Sequence, residues 1–330
     1  MTVKTTGIKE ERKGLIGAIK NSGTTFSLVI VYIIMCIIFG LLSPHFFTVN
    51  NFLNIGIYSS IIGVMGAGVT VAMLLGAMDI SQYATATLAS IVAAMLLQEE
   101  VNLFVVIIAA IAVGISCGAV NGVLVAVLKI PAIIVTLGTM QIFRGIAYLL
   151  AGGKTIMIKN ADFDLIGKGY IGNTIPICIV IMVLVFILIY YLLRHTGFGR
   201  TVYAVGGNES ASYLSGINVV RVKFLALVLC GVCSAVAGLI TSSQVGAAIP
   251  SNGVGSEMGV LSAVILGGIS LSGGKGRISG TIIGVLILAT IQNGLTLLSV
   301  QSFYQMIING IVLILAVLMD VIRRGVLKKQ

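Results

Sequence analysis

Ionisable residues inside apolar runs are the groups in this chain whose type and position could do chemistry. Asp79, Arg144 and Glu257 fall within or beside long apolar stretches. A charge at mid-bilayer costs about 2.5–3.5 kcal/mol even on a mild insertion scale, so such groups face protein or a water-filled path. Asp79 follows a Gly-containing run and precedes "ISQYATAT", which predicts a helix break or re-entrant turn. Glu257 sits in the Gly-rich helix entry "SNGVGSEMG", where its carboxylate could accept backbone N–H bonds. Arg144 follows Pro131 by roughly 20 Å of helix, which puts it in the outer half of its span. Two roles stay open for the three: charges that hold helix breaks together, or contacts to a solute crossing the membrane. No catalytic constellation is expected. Cys230 and Cys233 form a CxxC within an apolar run with no second pair, and Cys36, Cys117 and Cys178 are equally apolar in setting, so packing rather than metal or redox chemistry is expected. His45 and His195 are too far apart to suggest a metal site. "AGGKTIM" (151–157) contains Gly-Lys-Thr, but Tyr148 stands where a phosphate-binding loop needs Gly. No metal, cofactor or enzymatic activity is expected; any ATP would be bound by a partner.

The elements that must position these residues follow from composition. Of 330 residues 58% are hydrophobic and 9% charged, with mean hydropathy +1.14, whereas soluble domains carry roughly 25% charged residues. An all-α, polytopic transmembrane bundle is expected, because helices satisfy their own backbone groups in lipid. At about 20 apolar residues per crossing, ten spans are predicted near 26–43, 55–77, 82–97, 103–128, 131–151, 176–193, 223–243, 254–272, 278–298 and 304–322. The net charge of +10 could suggest nucleic acid, but its placement is a topology signal. With the N-terminus inside, sixteen of the 20 basic residues fall in inner loops and tails and only Lys154, Lys159 and Lys168 in outer ones, as the positive-inside rule requires. Both termini are thus expected in the cytoplasm, with a retained tail at 1–22, a transmembrane domain at 23–325 and a tail at 326–330.

Glycine is concentrated in the spans. Gly118 and Gly122, and Gly276, Gly280 and Gly284, recur every four residues, predicting small faces where neighbouring helices approach. "VTVAMLLGAMDIS" (69–81) and "VLSAVILGGISLS" (260–272) align without gaps, a candidate internal repeat of the kind transporters use.

The longest inner loop, 194–222, contains "GFGRTVYAVGGNESASYLSGI" (197–217). Asn208 is a good N-cap, Glu209 suits the helix N-terminus and Gly216 the C′ position. The two turns between them are too short to be stable alone. Ala211, Ser212 and Ser215 give small faces that leave Tyr213 and Leu214 as knobs, a design for gripping a cytoplasmic motor.

That segment, together with "LKIPAIIVTLGTMQIFRGIAYLLAGGKTI" (128–156) and "AVILGGISLSGGKGRISGTIIGVLILATIQNGLTLL" (263–298), resembles the membrane permeases of sugar ABC importers of the ribose, xylose and galactose type. The likeness runs from about residue 44 to 322. It implies a permease in the bacterial plasma membrane that works as one of two membrane subunits. The partners it implies are an ABC ATPase, an extracytoplasmic sugar-binding protein and a second permease subunit, identical or paralogous. The family's coupling pattern maps onto Ala204, Gly207, Asn208, Ala211, Ser215, Gly216 and Ile217, which with Glu209, Tyr213 and Leu214 form the candidate ATPase-coupling set. Ser81 and Asn293 join Asp79, Arg144 and Glu257 as candidate pathway or helix-break residues. Two departures stand out. "GAMDISQY" places Gln82 and Tyr83 where the family has small residues, and "EMGV" places Gly259 where it has a second acid. A branched-chain amino-acid permease and an ion-coupled transporter are the rival readings.

Overall fold

The computed structural model describes residues 27–172 and 174–323; the expected tails at 1–22 and 326–330 lie outside them. The chain is mostly helical. In order come α1 (Ser27–Leu42), α2 (Val49–Leu74), α3 (Gln82–Gln98), α4 (Leu103–Gly122, continued by a π-helical turn Val123–Val127), α5 (Ala132–Leu150), α6 (Ala161–Lys168) and α7 (Ile177–His195). Then follow α8 (Gly197–Gly207), α9 (Glu209–Leu214), α10 (Val219–Val245), α11 (Glu257–Leu266), α12 (Ile278–Leu297) and α13 (Ser302–Arg323). Local chemistry sets the boundaries. Asn102, Asn160, Thr196, Asn208 and Asn218 each accept a backbone N–H from the first turn that follows. Pro131 and Pro176 directly precede α5 and α7. Gly246, at φ 73°, closes α10.

Among the described residues, six helices are long and apolar enough to cross a membrane: α2, α4 with its π-turn, α5, α7, α10 and α12. Shorter apolar helices, α1, α3, α11 and the Ser302–Leu318 part of α13, fill the other expected positions. The expected span 254–272 is the clearest departure: only the ten residues Glu257–Leu266 are helical. Positive φ at Gly253, Gly255, Gly268, Gly273, Gly274 and Gly276 is incompatible with helix at either side. The all-α expectation also needs a small amendment. Two-residue antiparallel ladders pair Ile156–Met157 (β1) with Ala247–Ala248 (β4), and Tyr170–Ile171 (β2) with Ile175–Pro176 (β3). The first ties the loop after α5 to the loop after α10.

α10 and α2 form the centre, α10 packing on α2, α3, α4 and α6, and α2 on α7, α11 and α12. The closest crossings run through glycine, as the spacing predicts. A Cβ at Gly118 would lie 2.5 Å from the Leu227 carbonyl, and one at Gly114 would strike the Gly231 carbonyl, so α4 and α10 touch backbone to backbone. Gly280 and Gly284 of α12 likewise face Gly267 and Ala263, whereas Gly276 precedes the helix and falls outside that face. Cys230 and Cys233 are buried free thiols packed against Gly68.

Gly231→Val, which must push its side chain into α4, is expected to cost about 1–3 kcal/mol or more and to lower the thermal unfolding midpoint in detergent. Gly310→Ala on α13, whose new methyl would meet nothing within 4 Å, should stay within about 0.5 kcal/mol of the parent.

Candidate functional site

The chain between α2 and α3 is the break that the sequence around Asp79 predicts. α2 stops at Leu74, Gly76 takes φ 71°, and residues 77–80 run without helix until Ser81. Asp79, 2% exposed, accepts both the Ser81 N–H (2.8 Å) and the Ser81 hydroxyl (2.7 Å) on Oδ1. Asn121 of α4 donates to that hydroxyl at 2.9 Å, and Thr139 of α5 donates to the Asn121 side-chain oxygen at 2.7 Å. Thr136 donates to the Met78 carbonyl at 3.1 Å. This donor-to-acceptor chain ends on the carboxylate and fastens the break to two neighbouring helices. Asn121, Thr136 and Thr139 escape a sequence reading that looks for charges; the signal was a polar residue recurring on otherwise apolar helices.

A second polar cluster joins the start of α11 to α3 and α5. Arg144 donates from Nη2 to Glu257 Oε1 at 2.8 Å, the two side chains being 10% and 8% exposed, and from Nη1 to the Asn252 carbonyl at 3.1 Å. Thr87 donates to the same carbonyl at 3.2 Å. Glu257 does lie in the first turn of α11, but its carboxylate engages Arg144 rather than capping its own backbone. Both unusual residues find work here. Gln82, fully buried, donates from Nε2 to the Glu257 carbonyl at 3.0 Å, so the N-termini of α3 and α11 are linked by a side chain that a small residue could not replace. Tyr83 lays its ring against Gly253, where a Cβ would clash. Asn293 belongs to neither cluster. It lies on α12 with its side-chain oxygen buried and unpartnered among the described residues, between Gln292, which donates to Asn309 of α13 at 2.6 Å, and Gly294, which packs on Phe39 of α1.

The loop 194–222 holds two helices, not one. α8 starts at the Thr196 cap and buries Gly199, Val202 and Val205; the 198/202/205 apolar spacing was the available signal. α9 follows as the capping pattern predicts. Asn208 accepts the Ala211 N–H at 2.9 Å, Ser215 caps the end and Gly216 turns with φ 80°. Glu209 pairs with Lys223 of α10 at 2.6 Å. Ala204, Gly207, Asn208, Glu209, Ala211, Ser215 and Gly216 are all exposed, and Tyr213 and Leu214 project at 72% and 84% exposure beside a groove lined by Ile217 and Val220.

The residue that the sequence reading passed over is Gly206. A Cβ there would run into the Leu74 carbonyl and lie 2.7 Å from the Gly274 nitrogen, and that nitrogen itself donates to the Leu74 carbonyl at 2.8 Å. Tyr203 of α8 donates to the Gly276 carbonyl at 3.1 Å. Burial raises its phenol above the ordinary value despite the opposing charge of Arg277, keeping the donor proton in place. α8 therefore rests directly on the end of α2 and on the loop after α11. The two helix ends involved also fall at matched positions within the aligned segments. α2 and α11 stop within a residue of the matched Leu75 and Leu266, and Gly76 sits against the Ser272 carbonyl.

Helices long and apolar enough to cross a membrane, separated by polar-lined breaks and joined by a capped helix pair, define a polytopic helical membrane protein. Residues 51–317 match the family described as "Branched-chain amino acid transport system / permease component", and the chain belongs to that family. It is 42% identical over 299 residues to the ribose import permease protein RbsC of Escherichia coli (strain K12), covering 89% of this chain and 92% of that one. The ribose import permease protein RbsC of Bacillus subtilis (strain 168) is 40% identical over 96% of this chain and 98% of its own. The L-arabinose transport system permease protein AraH of Escherichia coli (strain K12) is 36% identical over 89% and 90%. No solved structure matches.

Removing one member of the buried pair leaves an uncompensated charge, so Arg144→Met or Glu257→Met alone is expected to cost about 3–5 kcal/mol. The double variant should recover most of that loss in detergent unfolding. Additive losses in the double-mutant cycle would show that the two side chains do not stabilise each other.

Proposed function

We propose that this chain is the membrane permease of an ABC importer that carries a monosaccharide, a ribose-like pentose, a hexose or a related small sugar, across the bacterial plasma membrane. The observation that carries this reading is the 36–42% identity to ribose and L-arabinose permeases along about nine-tenths of the chain or more. The description of the family favours a branched-chain amino acid as the runner-up cargo. In our reading ten segments cross the membrane with both termini in the cytoplasm, four of them using the shorter helices α1, α3, α11 and α13 and their extended flanks. The permease hydrolyses nothing itself and needs no cofactor.

An ABC ATPase grips α9. Tyr213 and Leu214 enter a cleft on the ATPase, while Ala204, Gly207, Asn208, Ala211, Ser215 and Gly216 let its surface approach. ATP-driven closure of the ATPases moves α8 and α9 as a pair, and Gly206 passes the displacement to the end of α2 and to the loop 267–277. A sugar-loaded binding protein docks at the other end, on 44–54, 152–175 and 244–253. Asp79, Ser81, Arg144 and Glu257 hold the breaks around which the spans reorient, and Asn293 is left as a candidate pathway residue.

Leu214→Asp and Gly207→Arg should each abolish uptake of labelled sugar while membrane abundance stays at the parent level. Normal uptake in either stable variant removes the coupling assignment. Competition among unlabelled ribose, L-arabinose and leucine in the same assay separates the sugar reading from its runner-up.

A further inference from the structure

In the proposed topology the segment 82–97 crosses outward and 254–272 crosses inward, so the two start toward opposite faces of the bilayer. Their helices nevertheless touch at their starts. Gln82, the first residue of α3, donates from Nε2 to the carbonyl of Glu257, the first residue of α11. The contact therefore sits at depth. The 17 residues of α3 and ten of α11 together measure about 40 Å of helix, close to a bilayer with its headgroup regions. Neither Ser81 nor Ser256 caps the helix it precedes with its side chain, so first-turn N–H groups of both helices face the junction. The Gln82 amide lies between the two starts and is half used. Its nitrogen is bonded, whereas Oε1, on a fully buried side chain, has no partner among the described residues. The groups around it are engaged with one another, Arg144 with Glu257 and the Asn252 carbonyl, and Thr87 with the same carbonyl. Other buried polar atoms also lack partners, Ser59 Oγ and Asn293 Oδ1 among them, but those two lie within single helices. Tyr83, the next residue, is partly exposed and lays its ring against Gly253 in the loop before α11. An aromatic ring and a bare amide acceptor thus stand side by side where two helices begin.

We propose that Gln82 and Tyr83 are the residues that select among sugars in the pathway: Gln82 Oε1 accepts one hydroxyl of the passing sugar while the Tyr83 ring covers the apolar face of the sugar. Each part matches the chemistry. An amide oxygen is an acceptor only and fits a hydroxyl that donates, and a tyrosine ring offers an apolar face with a polar tip. Helices that start at mid-membrane are where transporters place their solute contacts. Oε1 is covered while the Gln82–Glu257 bond holds, and it opens as the starts of α3 and α11 part. Sugar therefore meets it only during the motion that carries α11 past α3. A single acceptor also gives discrimination without tight binding, because a site built for one hydroxyl rejects the analogue that lacks it. This inference rests on the proposed sugar-importer reading and adds which residues choose the sugar.

The test compares the parent with Gln82→Met in proteoliposomes holding the complete transporter, its binding protein saturated in turn with labelled ribose, L-arabinose and the monodeoxy analogues of each. Uptake per ATP hydrolysed is measured. The parent should favour the full sugar over one particular deoxy analogue by about three- to tenfold, the worth of one neutral hydrogen bond. Gln82→Met should carry those two equally and keep the parent's preferences at every other hydroxyl. The same binding protein serves both, so its own selectivity cancels, and a loss of packing alone would slow all the sugars together. Gln82→Ser carries the same comparison if the methionine variant does not assemble. Tyr83→Leu should lower uptake of every sugar at the parent's membrane abundance and ATPase ratio, whereas Tyr83→Phe should keep it. Parental discrimination at all hydroxyls in the Gln82 variants would overturn the proposal and leave Oε1 as a water site only. Parent proteoliposomes that take up neither sugar would remove the sugar-importer reading itself.

Discussion

A carbonyl freed at a helix end and buried away from water must find another donor, and this fold is organised around that constraint. α2 ends between the faces of the bundle, and its last carbonyls are met in two ways. The chain folds back on itself, with Gly76 and Ala77 donating to Met73 and Ala72, while Leu74 receives the N–H of Gly274 from two hundred residues downstream. That one long-range bond fixes the loop after α11 against the end of α2. It also leaves a backbone surface so flat that only glycine, at position 206, can lie on it. Three segments that are distant in sequence thus share a joint with almost no side chains in it.

The charged and polar side chains serve the same constraint further along the breaks. Asp79 supplies an acceptor to Ser81, the cap residue just before α3, and Asn121, Thr136 and Thr139 bring α4 and α5 to the same point. Arg144 covers the carbonyl of Asn252 and the carboxylate of Glu257 together, and Gln82 covers the Glu257 carbonyl. A buried ion pair is weak evidence for net stability, since desolvation offsets much of its attraction. Its value here is geometric: it determines how α5, α11 and α3 meet. In the proposed importer, short helices such as α11 would move between these pinned breaks as rigid units.

Much of this was legible in the sequence because the relevant rules are local. Apolar run length located the helices. Asn208, Glu209 and Gly216 set the ends of α9 through capping alone, and the Gly118–Gly122 spacing marked a face that does take a neighbour. The break at Asp79 could be read from a charge after a glycine. What escaped depends on partners far away. The helix 257–266 looks longer in sequence because Gly267–Leu271 is apolar, and only the positive φ of the glycines around it reveals the turn. Gln82 and Tyr83 looked out of place until Glu257 and Gly253, about 175 residues on, were seen beside them. Gly206 carries no side chain to advertise its contact. The capping reading of Glu257 failed for a related reason, since a nearby guanidinium outcompetes weaker backbone donors.

The central claim of the proposed importer reading is that the α8–α9 pair drives the breaks after α2 and α11 through the bare backbone contact at Gly206. Gly206→Val puts a branched side chain into the Leu74 carbonyl without altering the exposed residues proposed to bind the ATPase. In proteoliposomes holding the complete transporter, the variant should retain its ATPase at the parent ratio and reach the membrane normally, while sugar uptake per ATP hydrolysed falls to background. Uptake per ATP equal to the parent's would contradict the account, because motion would then reach the spans by another route.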